Sequence, residues 1–109
     1  MKFFREKNER IYRCASMQAR IFERSSVEQL NSYDFIRAFM FSEEAFRMDR
    51  GLYEEAGLSE REIYASIKKK ISNIKKKTKI YPPEVNHWIG FFYRYANHFT
   101  MIDSITLYK

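Results

Sequence analysis

The sequence contains few of the residues that interrupt helices, with three glycines and two prolines among 109 residues. Lysine, glutamate, arginine and isoleucine are abundant, and apolar residues recur at helical spacing over long stretches. Scarce turn formers and long helical periodicity favour an all-α protein. We therefore expect one domain, residues 1–109, that folds as a compact bundle of four to five helices.

Cysteine is almost absent, because Cys14 is the single cysteine of the chain. It cannot form an intramolecular disulfide, and its place on the apolar face of the first helix predicts a packing role in a reducing compartment. The N-terminal stretch MKFFREKNER lacks the apolar run of a signal peptide. No apolar run approaches the roughly 18 residues that cross a bilayer. The expected protein is soluble, cytoplasmic and not inserted in a membrane.

Patterns of catalytic and metal-binding residues are also missing. The two histidines, His87 and His98, lie about 16 Å apart along one helix and cannot share a metal ion. The sequence has no glycine-rich phosphate loop, no nucleophile–base pattern and no acidic cluster for a divalent metal. We therefore expect a protein without cofactor or metal that is not an enzyme.

Positive charge is concentrated in residues 59–79, where eight basic and two acidic residues give +6, the net charge of the whole chain. The segment begins with a capping box, Ser59 to Glu62, and carries isoleucines at helical spacing, so it predicts a helix to about Lys77. A local cluster of this kind attracts acidic or polyanionic partners. The candidate binding lysines are Lys68, Lys69, Lys70, Lys75, Lys76, Lys77 and Lys79.

Two interpretations of the lysine-rich helix remain open, a row of phosphate contacts or the solvated outer face of a bundle helix. Tyr64 and Tyr81 lie close to the lysines in sequence and are candidates for base stacking. Residues 52–67 partly match a helix-turn-helix, although an ordinary corner between two helices explains them more simply.

The other helices follow from caps and periodicity. A first helix is expected over about Phe4–Arg24, with Gln18 hydrogen-bonded inside its apolar face. A second begins near Ser32, with Ser32 as its N-cap. A last long helix from Pro83 or Glu84 places Trp88 on a core face, packed on the lysine-rich helix, and Asp103 or Ser104 caps a short final turn. Gly90 within that long helix predicts a close helix contact.

Ser42 followed by two glutamates predicts a kink or a new short helix to about Asp49. If the helix continued instead, Phe41, Ala45 and Met48 would form an exposed apolar strip beside Arg37, which is typical of an interface. If Ser42 breaks the helix, the strip turns inward, and both outcomes remain open. Arg94 is expected on a polar surface. The candidate protein interface is Arg37, Phe41, Met48 and Arg94.

Two segments resemble a group of small helical bacterial proteins. The first reads Tyr81-Pro82-Pro83-Glu84, then Trp88-Ile89-Gly90-Phe91-Phe92-Tyr93-Arg94-Tyr95, and ends in Leu107-Tyr108-Lys109. It is similar to their W-I-G-x-x-Y-R-Y helix, and Phe35 to Ser42 is similar to their F-I-R-x-F-M-x-S element. These proteins are associated with toxin–antitoxin-like or mobile-element loci of Gram-positive bacteria. The resemblance covers about half the chain and implies a non-enzymatic, antitoxin-like or inhibitor-like protein.

The leading expectation is a small non-enzymatic inhibitor, antitoxin-like or anti-defence, that binds a macromolecular target through the lysine-rich helix and the apolar strip. Its expected partner is an acidic protein or a nucleic-acid-processing enzyme. The alternative is a helical nucleic-acid-binding protein that contacts phosphates with Lys68–Lys79. The sequence leaves the oligomeric state open.

Overall fold

The computed structural model describes residues 2–49, 59–71, 80–100 and 102–108, with side chains described from Ile11 onward except those of His98 and Phe99. These residues form a compact all-α bundle, as the sequence predicts. The expected continuation of the lysine-rich helix to Lys77 and the helix-turn-helix-like turn after Leu52 lie outside the described residues. The helices are α1 Lys2–Val27, α2 Ser32–Met40, α3 Glu43–Asp49, α4 Glu60–Ile71, α5 Pro83–Thr100 and α6 Ser104–Tyr108.

Helices α1 and α5 form the main axis of the bundle and lie antiparallel. The Ser26 hydroxyl donates to the Tyr81 carbonyl before α5 begins, and the Gln18 amide donates to the Gly90 carbonyl at 3.0 Å. A Cβ at Gly90 would lie 2.8 Å from the Gln18 carbonyl oxygen and 3.1 Å from the Cα of Ala19. Because a side chain would not fit, glycine permits this close approach. The structure confirms the predicted helix contact and the hydrogen-bonded Gln18.

The apolar core lies between α1, α2 and α4. Phe22 of α1 makes edge-to-face contacts with Phe35 at 6.0 Å and with Phe39 at 5.0 Å between ring centroids. Ile63 and Ile67 of α4 are buried in the same core. Helix α4 therefore packs on α2 and α1, whereas α5 packs along α1. Within the described residues, the lysine-rich helix packs on α2 and α1 and not on the Trp88 helix, which the sequence predicts as its neighbour.

Ser42 separates α2 from α3. Its hydroxyl donates to the Phe39 carbonyl at 2.6 Å and accepts from the Ala45 N–H at 3.1 Å, so it closes one helix and caps the next. The break turns Ala45 and Met48 into the core and leaves Phe41 exposed. Met48 is therefore a core residue, and its assignment to an interface is wrong.

The helix starts follow local hydrogen bonds. At the start of α4, the Glu62 N–H donates to Ser59 Oγ at 3.2 Å and the Ser59 N–H donates to Glu62 Oε1 at 3.4 Å, which confirms the capping box. The N-cap of α2 is Asn31 rather than Ser32, because the Asn31 side chain accepts from the Asp34 N–H at 3.0 Å. Ser32 lies one residue inside the helix and is buried.

Candidate protein-binding groove and lysine face

Helix α5 is oriented opposite to the sequence-based expectation. Three polar residues and one glycine, spaced four, four and three positions apart, are buried against the bundle. They form the inward polar row, Asn86, Gly90, Arg94 and Asn97. Its apolar residues Val85, Trp88 and Phe92 are exposed and form the outward apolar row, with Trp88 52% and Phe92 63% exposed. The prediction that Trp88 is a core residue is wrong.

Buried polar partners on α1, α2, α3 and α6 explain why the polar row faces inward. Arg94 is 3% exposed, and its guanidinium donates to Gln18 Oε1 at 2.8 Å, to Asp49 Oδ1 at 2.8 Å and to Ser104 Oγ at 3.3 Å. The Asn86 amide donates to Ser32 Oγ at 3.1 Å. A buried arginine needs such partners, and only the inward orientation supplies them. Arg94 is thus a structural residue, and its assignment to a protein interface is wrong.

The outward apolar row forms one wall of an open groove of about 1100 Å³, the aromatic groove. The opposite wall comes from α2 and α6, with Tyr33, Ile36 and Tyr108. The other lining residues are Tyr81, Glu84, Val85, Trp88, Ile89, Phe92, Tyr93, Ala96 and Leu107. Glu84 is the one residue among these that carries a formal charge at neutral pH.

Ring contacts order the α5 wall. Trp88 lies 5.8 Å from Phe92 and 5.5 Å from Phe91 between ring centroids, and Phe91 stacks on Tyr95 at 4.9 Å. Tyr12 of α1 adds an edge contact to Phe91 at 5.9 Å. Of these rings, Trp88 and Phe92 line the groove, whereas Phe91, Tyr95 and Tyr12 are not among its lining residues.

The opposite wall is closed by α6. Burial, and then the neighbouring Tyr33 hydroxyl, raise the pKa of Tyr108 to about 12. The Tyr108 ring contacts Tyr33 at 6.5 Å and Phe41 at 5.4 Å between centroids. The exposed Arg37 guanidinium lies 5.7 Å from the Phe41 ring centroid. Arg37 and Phe41 therefore remain on the surface, next to the groove.

The described lysines of α4, Lys68, Lys69 and Lys70, form the lysine face and are all exposed. Lys68 Nζ donates to Glu28 Oε1 at 2.9 Å, and Lys70 Nζ donates to Glu44 Oε1 at 3.4 Å. Burial alone would raise the pKa of Glu44, but the Ser66 hydroxyl and Lys70 help to lower it below 4.5. Two lysines thus attach α4 to its neighbours. Lys75, Lys76, Lys77 and Lys79 lie outside the described residues.

Tyr64 belongs to this attachment and not to a stacking surface. It is 3% exposed, its hydroxyl donates to Glu28 Oε1 at 2.7 Å, and its ring lies under the Arg24 guanidinium at 4.4 Å. The hydrogen bond from Tyr64, and then the one from Lys68, lower the pKa of Glu28 from 4.5 to about 2. Burial and the Glu28 carboxylate raise the pKa of Tyr64. Base stacking on Tyr64 is excluded, because its ring face is covered.

Tyr81 is half-buried at one end of the aromatic groove. Its N–H donates to Ser32 Oγ at 2.9 Å, which fixes the chain just before α5. The structure therefore places Tyr81 with the groove residues. Tyr64 and Tyr81, grouped by sequence reasoning, serve two different parts of the molecule.

Sequence reasoning missed the groove residues, above all Trp88, Phe92, Tyr33 and Tyr108. The signal that could have revealed them is the regular spacing of Asn86, Gly90, Arg94 and Asn97, together with a polar Gln18 inside the apolar face of α1. The inward polar row of α5 can hydrogen-bond to the buried Gln18 amide of α1. This pairing leaves the outward apolar row of α5 exposed to solvent.

No family model, curated protein or solved structure matches this chain. Within the described ranges, no group of three histidine, cysteine, aspartate or glutamate side chains is placed to hold a metal ion. None of the described helices is at once long and apolar enough to span a bilayer.

Proposed function

We propose that this chain is a non-enzymatic binding protein, inhibitor-like or antitoxin-like, that engages a protein target through the aromatic groove. The observation that carries the proposal is the inverted orientation of α5, with Arg94 buried and Trp88 and Phe92 exposed. Apolar side chains gain free energy when they leave water, so an exposed row of large rings is stabilised by a partner.

The composition of the groove matches the centre of a protein interface. Interface cores are enriched in tryptophan, tyrosine and phenylalanine and depleted of charge, and the described lining of the groove has six aromatic residues and one charged residue. Trp88 and Phe92 alone expose on the order of 200 Å² of ring surface, since each such side chain can bury roughly 150–250 Å². With the remaining lining, this area suits the core of an interface whose rim adds polar contacts.

The lysine face and Arg37 supply charge outside the groove. Ion pairs with Glu28 and Glu44 reduce the charge that Lys68 and Lys70 offer, but both lysine side chains remain about half exposed, at 49% and 45%. An acidic target, including an enzyme that processes nucleic acid, would be attracted by this field and held by the groove. Charge would then govern the rate of association, and the rings would govern the lifetime of the complex.

Affinity capture from the native host tests this proposal with a matched pair of variants. Phe92→Asp places a charge in the groove, and Phe46→Asp places one on α3 at a phenylalanine that is 49% exposed and does not line the groove. We expect wild type and Phe46→Asp to capture a host protein, and we expect Phe92→Asp not to capture it. Treatment with nuclease should leave this capture unchanged. Retention by all three proteins would contradict the proposal, as would loss after nuclease.

A second candidate function is nucleic-acid binding by the lysine-rich segment, which the exposure of Lys68, Lys69 and Lys70 favours. Affinity for a duplex or a single strand should then fall steeply with salt. Replacing Lys75, Lys76 and Lys77 by Gln should reduce the slope of log affinity against log salt by about 3. Absence of binding at low salt would remove this candidate.

A further inference from the structure

The walls of the aromatic groove restrict the conformation of what can bind there. Apart from Tyr81, which precedes α5, the lining residues lie on α2, α5 and α6, whose backbone hydrogen bonds are made within the helices. A segment bound as an added β-strand would find no sheet edge to pair with, because the walls are helices. A helix pairs its own backbone groups and needs only side-chain contacts. The groove therefore suits a helix better than an added strand.

The length of the groove sets the size of that helix. From Glu84 to Ala96 the α5 wall extends for about 18 Å at 1.5 Å per residue. A partner helix of three to four turns covers this distance. Its apolar residues at positions i, i+3 or i+4, and i+7 would contact Val85, Trp88 and Phe92 in turn.

The negative charge of Glu84 at one end of the groove determines which residue the partner helix can place there. Glu84 is exposed in the first turn of α5 and carries the single formal charge among the lining residues that the structure describes, in a chain of net charge +6. The faces of the neighbouring rings, including Trp88 and Tyr81, also carry negative partial charge. This end of the groove therefore favours a lysine or arginine and disfavours an acid.

We propose that the occupant of the aromatic groove is an amphipathic α-helix of a partner protein, with an apolar face and a basic residue opposite Glu84. This inference rests on the proposed function, because it names the part of the target that the groove receives. Glu84 in the groove and the lysine face then bind groups of opposite charge. The groove receives a helix with a basic end, and the lysine face meets acidic groups elsewhere on the partner.

A displayed library of 15-residue helical peptides tests the inference without a known target. Apolar residues would vary at i, i+3, i+4 and i+7, and one terminal position would vary among Lys, Arg, Gln and Glu. Selection on wild type with counter-selection on Phe92→Asp should enrich Lys or Arg at that position. Trp88 is the only tryptophan, so binding of the selected peptides should shift its fluorescence to shorter wavelength.

Charge reversal at Glu84 provides the decisive comparison. Glu84→Lys should weaken the selected peptides about fivefold, as expected for loss of an interaction between exposed charges. Glu43→Lys, which reverses an exposed acid in the first turn of α3, should leave their affinity unchanged. Enrichment of Glu, equal binding to both variants, or selection of no helical peptide would overturn the inference. A shift of Trp88 fluorescence with protein concentration alone would assign the groove to a second copy and would also overturn it.

Failure of this inference and failure of the proposed function give different results. Suppose that Phe92→Asp no longer captures the host protein but that Glu84→Lys leaves the affinity of the peptides unchanged. The target then binds the groove without a basic helix. If the peptides bind as expected and no host protein depends on Phe92, the groove has the stated preference but the proposed function is wrong.

Discussion

Arg94 and Asp49 show how a single residue can be misassigned from the sequence. An arginine on a mid-helix position usually lies in solvent, yet here its guanidinium is held by Gln18, Asp49 and Ser104. Asp49 also accepts from the Ser104 N–H at 2.9 Å and from its hydroxyl at 2.6 Å, so it fixes the start of α6. One buried ion pair thereby joins α1, α3, α5 and α6.

Removal of either partner from this pair should be costly. We expect Asp49→Asn or Arg94→Gln to reduce the free energy of unfolding by about 3 kcal/mol, because each leaves a buried charge without its counter-charge. Urea denaturation measures this loss. Glu43→Gln removes the exposed Arg47–Glu43 pair and should cost less than about 0.5 kcal/mol. Similar losses for the buried and the exposed pair would contradict the structural role of Arg94.

Gly90 is the second residue whose identity matters. Alanine normally stabilises a helix interior by about 1 kcal/mol relative to glycine. At Gly90 the added Cβ would lie 3.0 Å from Phe22 Cγ and 2.8 Å from the Gln18 carbonyl oxygen. We therefore expect Gly90→Ala to destabilise the protein by about 1–3 kcal/mol in thermal or urea unfolding. A gain in stability would mean that α1 and α5 lie further apart.

At the scale of elements, α4 is held by a polar cluster around Glu28 as well as by its apolar face. The cluster joins Arg24 and Glu28 at the end of α1 to Tyr64 and Lys68 on α4. The low pKa of Glu28 reflects the hydrogen bond from Tyr64 first and the one from Lys68 second. Attachment of α4 therefore depends in part on the charge of the Glu28 carboxylate, in addition to the contacts of Lys70 and Ser66 with Glu44.

Acidification should weaken this attachment. The pKa of Glu28 is about 2 in the folded protein and 4.5 without its partners, so its contribution is complete above pH 4.5 and is lost as the pH falls toward 2. Because the cluster is partly exposed, we expect about 1 kcal/mol. Unfolding of wild type and Glu28→Gln should differ by this amount at pH 6 and converge near pH 2. A constant difference would show that Glu28 acts through contacts other than its charge.

The helix boundaries could be predicted where local hydrogen bonds define them. The capping box joins residues three apart, and Ser42 bonds its own neighbours, so the sequence itself contains this information. The orientation of α5 could not be predicted in the same way. It depends on Gln18 and Asp49, which lie 76 and 45 residues from Arg94 in sequence. Helical periodicity identifies two faces of a helix but does not say which one is buried.

At the candidate site, too, sequence reasoning predicted the features that depend on local residues. It identified the lysines by composition and the break at Ser42 by its cap, and it assigned Phe41 and Arg37 to one surface. It placed Trp88 in the core because large aromatic residues are usually buried. In this bundle the polar row of α5 takes the buried positions, which leaves the rings outside.

In the protein as a whole, the exposure of the α5 rings predicts that they contribute little to folding, as their proposed role in binding requires. Urea unfolding of Trp88→Ala/Phe92→Ala, compared with Phe22→Ala as a buried control, measures this contribution. Since half or more of each ring is already in water, we expect the double variant to lose about 2 kcal/mol or less. Phe22→Ala alone should lose about 3–5 kcal/mol, because Phe22 is fully buried. A loss in the double variant equal to or larger than that of Phe22→Ala would place the two rings in the core and contradict the account.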